Sequence, residues 1–272
     1  MLQNERAIIP PTTRARHGDI VYDGEDLLLS IKGVARYRVR KGQQILVDAE
    51  PGADANDVRA YLLGSVFGTL CHQRGITPLH SSAIDIPGGA SVFMGQSGAG
   101  KSTLAATLVE RGHQLVADDV SFITLDENGA PMVWPGIRPI RLWEDALHAL
   151  GLNGPGVQRE FRGYNKYLIP VPASPDPDSP RRLLRMYLLT NAPAGAEATL
   201  TQLGGSRAFE LLMQNLYCSS FAKCMGLKAD AFGVCAAMAR EVPLFEFSRP
   251  RGFDVLSQTI DRLEAHLVAD VT

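Results

Sequence analysis

LHSSAIDIPGGASVFMGQSGAGKSTLAATLVERGHQLVADDVSFI, residues 79–123, decides the fold. Inside it GQSGAGKS, Gly95 to Ser102, satisfies the G-x-x-x-x-G-K-[ST] pattern in full. The apolar run SVFM precedes it and helix-forming sequence follows, which is the strand–loop–helix context of a phosphate-binding loop. The residue types follow from the chemistry. Gly95, Gly98 and Gly100 let the backbone turn tightly and bring N–H groups, with those of Gln96, Ser97 and Ala99, up to phosphate oxygens. The helix N-terminus at Lys101, Ser102 and Thr103 adds its partial positive charge. Lys101 reaches the β- and γ-phosphates in such a loop, and the Ser102 hydroxyl holds Mg²⁺.

Two acidic residues, Asp118 and Asp119, end the apolar run LVADD, 17 and 18 residues after Lys101. An acid at the end of a neighbouring strand supports the metal beside a phosphate loop. Strand alternation sends two adjacent side chains to opposite faces. Metal support needs one of them, which leaves the other to contact an acceptor hydroxyl as general base. The alternative for either acid taken alone is a helix or turn cap. His80 lies 15 residues before Gly95. Read by itself, a lone histidine beside an apolar run is a packed residue with a satisfied ring nitrogen.

Outward from this core, the composition is that of an ordinary folded chain. Its 272 residues are 45% hydrophobic and 21% charged, enough for one large domain or two modest ones. A net charge of −2, from 27 basic and 29 acidic residues, gives no pull toward nucleic acid or an anionic membrane. No apolar run approaches the roughly 18 residues of a membrane span. The start, MLQNERAIIPPTTRARHGD, has an early acid and no apolar signal core, so a cytoplasmic protein is expected. Cys71, Cys218, Cys224 and Cys235 form no CxxC and read as reduced thiols.

Residues 1–18 read as a loose arm and 19–50 as short strands between turns. Residues 51–75 predict a helix capped at Asp54 or Asn56 and ended by Gly75. The pattern then predicts strands at 83–86 and 91–94, a helix at 101–111 and a short strand at 114–117. An extended segment and a helix follow over 130–150. Residues 153–180, dense in Pro and Gly and flanked by Arg159, Arg162 and Lys166, read as a mobile loop over a site or as a plain surface connection. A strand at 183–190, helix over 206–240 and a closing helix at 253–268 complete the pattern.

The segment LHSSAID…GQSGAGKSTLAATLVERGHQLVADDV resembles the catalytic core of the bacterial HPr kinase/phosphorylase family, and RGH-x-LVADD is its most specific part. The resemblance implies an α/β phosphate-loop core of the HPr kinase and phosphoenolpyruvate carboxykinase type, preceded here by a small β-rich N-terminal region. It implies a division into residues 1–76, β-rich plus a helix, and a catalytic domain over 77–272. It further implies an ATP- and Mg²⁺-dependent kinase that phosphorylates a serine hydroxyl on a protein, and a homo-oligomer. By the same resemblance His80 is an active-site residue, Lys101 contacts phosphate, and Ser102 and Asp118 attend the metal. Asp119 accepts the proton, and Glu144 falls at the offset of the family's second metal-binding acid. Ser81 and Thr103 depart from the family pattern, and PIRLWEDAL stands where its LEIRG-like segment would be. The N-terminal 76 residues resemble a subgroup of HPr-kinase-like proteins, some linked to modification of ribosomally made peptides such as lasso precursors. A peptide or small-protein acceptor is therefore expected. A small-molecule kinase for free serine or a sugar, a bifunctional kinase/phosphorylase and a non-catalytic nucleotide-binding regulator are the alternatives.

Overall fold

The computed structural model describes residues 15–17, 19–136, 139–160, 165–172, 176, 178–226 and 228–268. They divide into two compact units. The first holds the described residues up to Pro78 with Glu160 and Tyr217–Phe232, and the second holds Leu79–Arg159, Asn165–Leu216 and the residues from Gly233 onward.

In the first unit β1 (Ala15–His17), β2 (Ile20–Tyr22), β3 (Asp26–Ile31), β4 (Ala35–Arg40) and β5 (Gln44–Ala49) form an antiparallel meander in sequence order. The alternation in ARYRVR explains one strand: Ala35, Tyr37 and Val39 are buried while Arg36 and Arg40 are exposed. With Ile20, Leu27, Leu29, Val66, Leu70 and Met225 they form one apolar cluster. The helix expected over 51–75 runs as α1 (Ala55–Tyr61), a π-helical turn at Leu62–Val66 and α2 (Phe67–Gln73). Asp54 caps it, accepting from the Asn56 N–H at 2.8 Å.

The chain continues through β6 (Thr77–Leu79), β7 (Ser81–Ile86), β8 (Gly89–Met94), α3 (Lys101–Glu110), β9 (Leu115–Ala117), β10 (Ser121–Leu125) and β11 (Pro131–Trp134). It goes on with β12 (Ile140–Trp143), α4 (Glu144–Ala149), β13 (Gln158–Arg159), β14 (Lys166–Ile169), β15 (Arg181–Asn191) and β16 (Thr199–Leu203). The last elements are α5 (Gly205–Gln214), α6 (Ser219–Met225), α7 (Lys228–Glu241), β17 (Leu244–Arg249) and α8 (Leu256–Val268).

The second unit is built on a mixed sheet ordered β10-β11-β15-β8-β7-β9. Strand β15 organises it. One edge runs parallel to β8. The other takes β11 at Arg181–Arg182 and then parallel β17 at Met186–Asn191. Every residue of β8 is buried, as a central strand covered on both faces requires. Phe93, Leu104, Leu108, Leu142, Tyr187, Phe247, Ile260 and Leu263 pack into one core cluster, each contributing about 1.5–3 kcal/mol by burial. This core fixes the end of β8, and so the start of the phosphate loop.

The structure departs from the sequence expectations in three places. Strands β6, β10, β16 and β17 lie where no strand was expected, and β1 at Ala15–His17 pairs with β2 inside the stretch read as a loose arm. The helix expected over 206–240 is broken at Leu216–Cys218, where Leu216 bridges Leu79 and Cys218 takes a left-handed φ of 53°. Within 153–180, β13 and β14 pair with one another and β14 pairs with β12 in register from Ile140↔Ile169 to Trp143↔Lys166. The segment that composition marks as a loop thus supplies a small sheet that fixes Lys166. Arg162, most of the N-terminal arm and residues 173–175 lie outside the described residues. No helix among those described is long and apolar enough to cross a membrane.

Two histidines give the fold a pH dependence. His72 is buried and its Nε2 meets the Tyr217 carbonyl at 2.8 Å; burial pushes its pKa below the usual 6.5. His266 is lowered by burial and by Arg185, with its Nδ1 2.8 Å from the Tyr187 hydroxyl. Below pH 6.5 the unfolded chain takes up these protons before the folded one does, so stability falls as pH falls. We expect the melting temperature to drop between pH 7 and pH 5, with a shallower slope in His72→Gln. An identical slope in the variant excludes His72 as a contributor.

Candidate active site

The loop from β8 to α3 adopts the conformation its glycines permit. Gly95, Gly98 and Gly100 have φ values of 148°, 79° and 86°, which side chains rarely adopt. A Cβ at Gly100 would come within 2.7 Å of the Arg249 guanidinium, so that guanidinium would have to shift to admit one. Lys101 opens α3 and is only 7% exposed. Its Nζ folds back on the loop, donating to the carbonyls of Gly95 at 2.8 Å and Gln96 at 3.2 Å. Burial lowers its pKa to about 8, against the pull of Asp119 and Asp118.

The aspartates do not sit on a strand. Strand β9 ends at Ala117, and Asp119 turns the chain with a left-handed φ of 67°. The alternation expected of them therefore does not apply, and burial separates them instead. Asp118 is 5% exposed and accepts from the Ser82 hydroxyl at 2.6 Å and the Arg141 N–H at 2.8 Å. Burial raises its pKa; the hydrogen bonds from Ser82, Arg141 and the Ser102 hydroxyl work in the opposite direction. Asp119 faces a cavity and pairs with the Arg141 guanidinium at 2.5 Å. The His80 ring hydrogen-bonds the Asp119 backbone, and burial followed by Lys101 holds its pKa below the usual value.

That cavity has a volume near 60 Å³, and His80, Lys101, Ser102, Asp119, Arg141 and Lys166 are among its lining. The loop, His80 and Asp119 thus meet in one place, with Asp118 directly behind. Ser102 and Asp118 offer hard oxygen donors, and Asp118 retains a lone pair beyond the three bonds it accepts; the pair suits Mg²⁺. No group of three or more His, Cys, Asp or Glu side chains among the described residues is placed to hold a metal by itself. Glu144 starts α4 and is not part of the cavity lining. Its carboxylate accepts from Asn165 Nδ2 at 2.8 Å and the Tyr167 hydroxyl at 3.1 Å.

Sequence reasoning missed Arg141, Ser82 and Trp143, and it singled out Lys166 only as a basic residue of the segment 153–180 read as a loop. Arg141 bonds both aspartates, one through its backbone and one through its side chain. Lys166 reaches the site through pairing with β12 and lies 5.6 Å from the Trp143 ring centroid. The basic residue in PIRLW was the only local hint.

Residues 74–132 match the family model described as the HPr serine kinase C-terminal domain. The chain is 38% identical over 78 residues to the HPr kinase/phosphorylase of Chlorobium phaeobacteroides, covering 29% of this chain and 22% of that protein. It is 51% identical over 54 residues to the HPr kinase/phosphorylase of Chloroherpeton thalassium, covering 20% of this chain and 15% of that one. These matches span less than a quarter of the length of either curated relative. Among solved structures, the Hpr(Ser) kinase/phosphatase of Coxiella burnetii aligns with 70% of this chain and 95% of its own at 12% identity, with a TM-score of 0.35.

Proposed function

We propose that this chain, whose residues 74–132 match the HPr serine kinase C-terminal domain, is an ATP-dependent serine kinase acting on a peptide or small protein. The observation that carries this reading is the convergence of Lys101, Asp119 and His80 on one cavity, with Asp118 buried behind it against Ser102. A phosphate site alone needs no accessible carboxylate facing it; a hydroxyl acceptor does.

In this reading Asp119 takes the proton as the acceptor serine oxygen bonds to the γ-phosphorus and the bond to the β-phosphate bridging oxygen breaks. Lys101 neutralises charge on the transferring group, and the loop N–H groups fix the phosphate chain. Ser102 and Asp118 would hold Mg²⁺, which supplies further charge neutralisation on the phosphates. Glu144 would join them only by exchanging its bonds to Asn165 and Tyr167. His80 holds the backbone of Asp119 and so positions the base. Arg141 must share Asp119 with the acceptor.

The test offers the purified protein labelled ATP with serine-containing peptides, a precursor-type peptide, HPr, free serine and sugars. Phosphoserine in a peptide or protein is the expected product. Label confined to free serine or a sugar would transfer the assignment to a small-molecule kinase. No label in any acceptor, with ATP bound, would favour a nucleotide-binding regulator.

A further inference from the structure

A second cavity of about 270 Å³ adjoins the phosphate cavity and shares Gly98, Gly100, Thr103 and Trp143 with it. Its volume is close to the lower bound, about 300 Å³, of small-molecule pockets. Its remaining wall includes Asp145 in α4, Arg249 at the end of β17, Arg251 and Phe253 between β17 and α8, and Leu256 at the start of α8. The proposed kinase chemistry uses none of these groups.

Three observations describe what would fit. Trp143 and Phe253 are each 44% exposed, although large aromatic side chains gain by burial. Arg249 is 7% exposed and its Nη2 is fixed on the Ala99 carbonyl at 2.7 Å, leaving a buried Nε with no hydrogen-bond partner. Arg251 beside it binds Asn191 Oδ1 at 2.8 Å and the Gly98 carbonyl at 3.2 Å. Both guanidinium groups thus rest on carbonyl or amide oxygens, with no carboxylate partner among the described residues, and both hold the phosphate loop. Asp145 supplies an acceptor on the cavity wall, its Oδ1 already taken by the Ala146 N–H at 2.8 Å. An exposed aromatic pair, local positive charge on the phosphate side and one carboxylate match a base, a phosphate chain and a ribose hydroxyl.

We propose that this cavity is the nucleoside subsite, in which Trp143 and Phe253 stack the base of a purine nucleoside triphosphate and Asp145 accepts from its ribose. The proposal rests on the reading of the phosphate loop as a nucleotide site. Phe253 is the decisive probe, because it lines this cavity only, whereas Trp143 borders both and lies beside Lys166. The experiment compares Mg·ATP with Mg·tripolyphosphate by titration calorimetry on the full chain. The wild type should bind ATP more tightly than tripolyphosphate. Phe253→Ala should weaken ATP binding about 10-fold, the scale of one lost base–aromatic stack, and leave tripolyphosphate binding unchanged. Phe253→Tyr should restore ATP affinity.

Equal ATP affinity in Phe253→Ala and wild type overturns the subsite, as does an equal loss for both probes. Weakened peptide binding with ATP affinity intact gives the cavity to the acceptor and overturns it as well. Tripolyphosphate binding that is strong in the wild type and lost in Lys101→Ala keeps the phosphate-loop reading standing through any of these results. Failure of the wild type to bind either probe sinks both readings.

Discussion

Lys101→Ala is expected to abolish phosphoryl transfer, with a loss of at least about 10²- to 10³-fold, the cost of deleting one principal charge-stabilising donor. The loop places this side chain by constraint from both ends. The positive-φ glycines Gly95, Gly98 and Gly100 all precede it and leave α3 to begin at Lys101, and the ammonium is held on the carbonyls of Gly95 and Gln96. Those carbonyls are weak partners for a buried cation, and a phosphate oxygen would displace them readily. Burial lowers its pKa to about 8 while Asp119 and Asp118 oppose the shift, so the free protein carries the charge at neutral pH. Above about pH 8 the ammonium is lost progressively, and nucleotide affinity should decline with it. Lys101→Met retains most of the buried stem and separates loss of charge from loss of packing. Phosphopeptide formation followed by mass spectrometry, beside thermal unfolding of the same preparations, checks the result. Either variant turning over at the wild-type rate removes Lys101 from the mechanism.

Legibility in the sequence followed contact distance along the chain. The loop, its helix and the aspartate pair occupy 25 consecutive residues, Gly95–Asp119, and each is dictated by local chemistry: glycine where φ is positive, lysine and serine at a helix start, acids after an apolar run. Strand β8 was visible because a fully buried central strand reads as an unbroken apolar run. Arg141 was not legible, because its role depends on β12 passing beside the turn at Asp119. Lys166 required the register of β14 on β12, in a segment whose Pro and Gly content conceals its pairing. Ser82 reads as an ordinary strand serine until β7 is set beside β9. Counting an offset to Glu144 fixed a position in the chain but carried no information on the neighbours Asn165 and Tyr167 that occupy its carboxylate. Trp143, Arg249 and Phe253 come from three separate elements and acquire a common meaning only around the second cavity.

The two aspartates should separate cleanly on substitution. Asp119→Asn is expected to lose about 10²- to 10⁴-fold in transfer rate, the usual contribution of a general base, while ATP affinity is preserved. Asparagine tolerates the left-handed region as well as aspartate does, so the turn at φ 67° survives the change. Asp118→Asn should instead weaken Mg·ATP binding, because this carboxylate is buried against Ser82, the Arg141 N–H and the Ser102 hydroxyl and does not face the cavity. His80→Ala tests the link between them. Its ring bonds the Asp119 backbone, and burial with Lys101 nearby keeps it neutral, which suits a group that positions the base and carries no proton itself. The expected result is a lower kcat with KM for ATP unchanged, partly rescued by His80→Gln, which can renew a hydrogen bond to that backbone. ATP titration and peptide phosphorylation on the same preparations decide among these outcomes. A lower melting temperature without a rate defect in His80→Ala makes the histidine a packing residue. Wild-type phosphorylation by Asp119→Asn passes the role of base to Asp118, and the burial that now distinguishes the two carboxylates would have to be relieved when substrate binds.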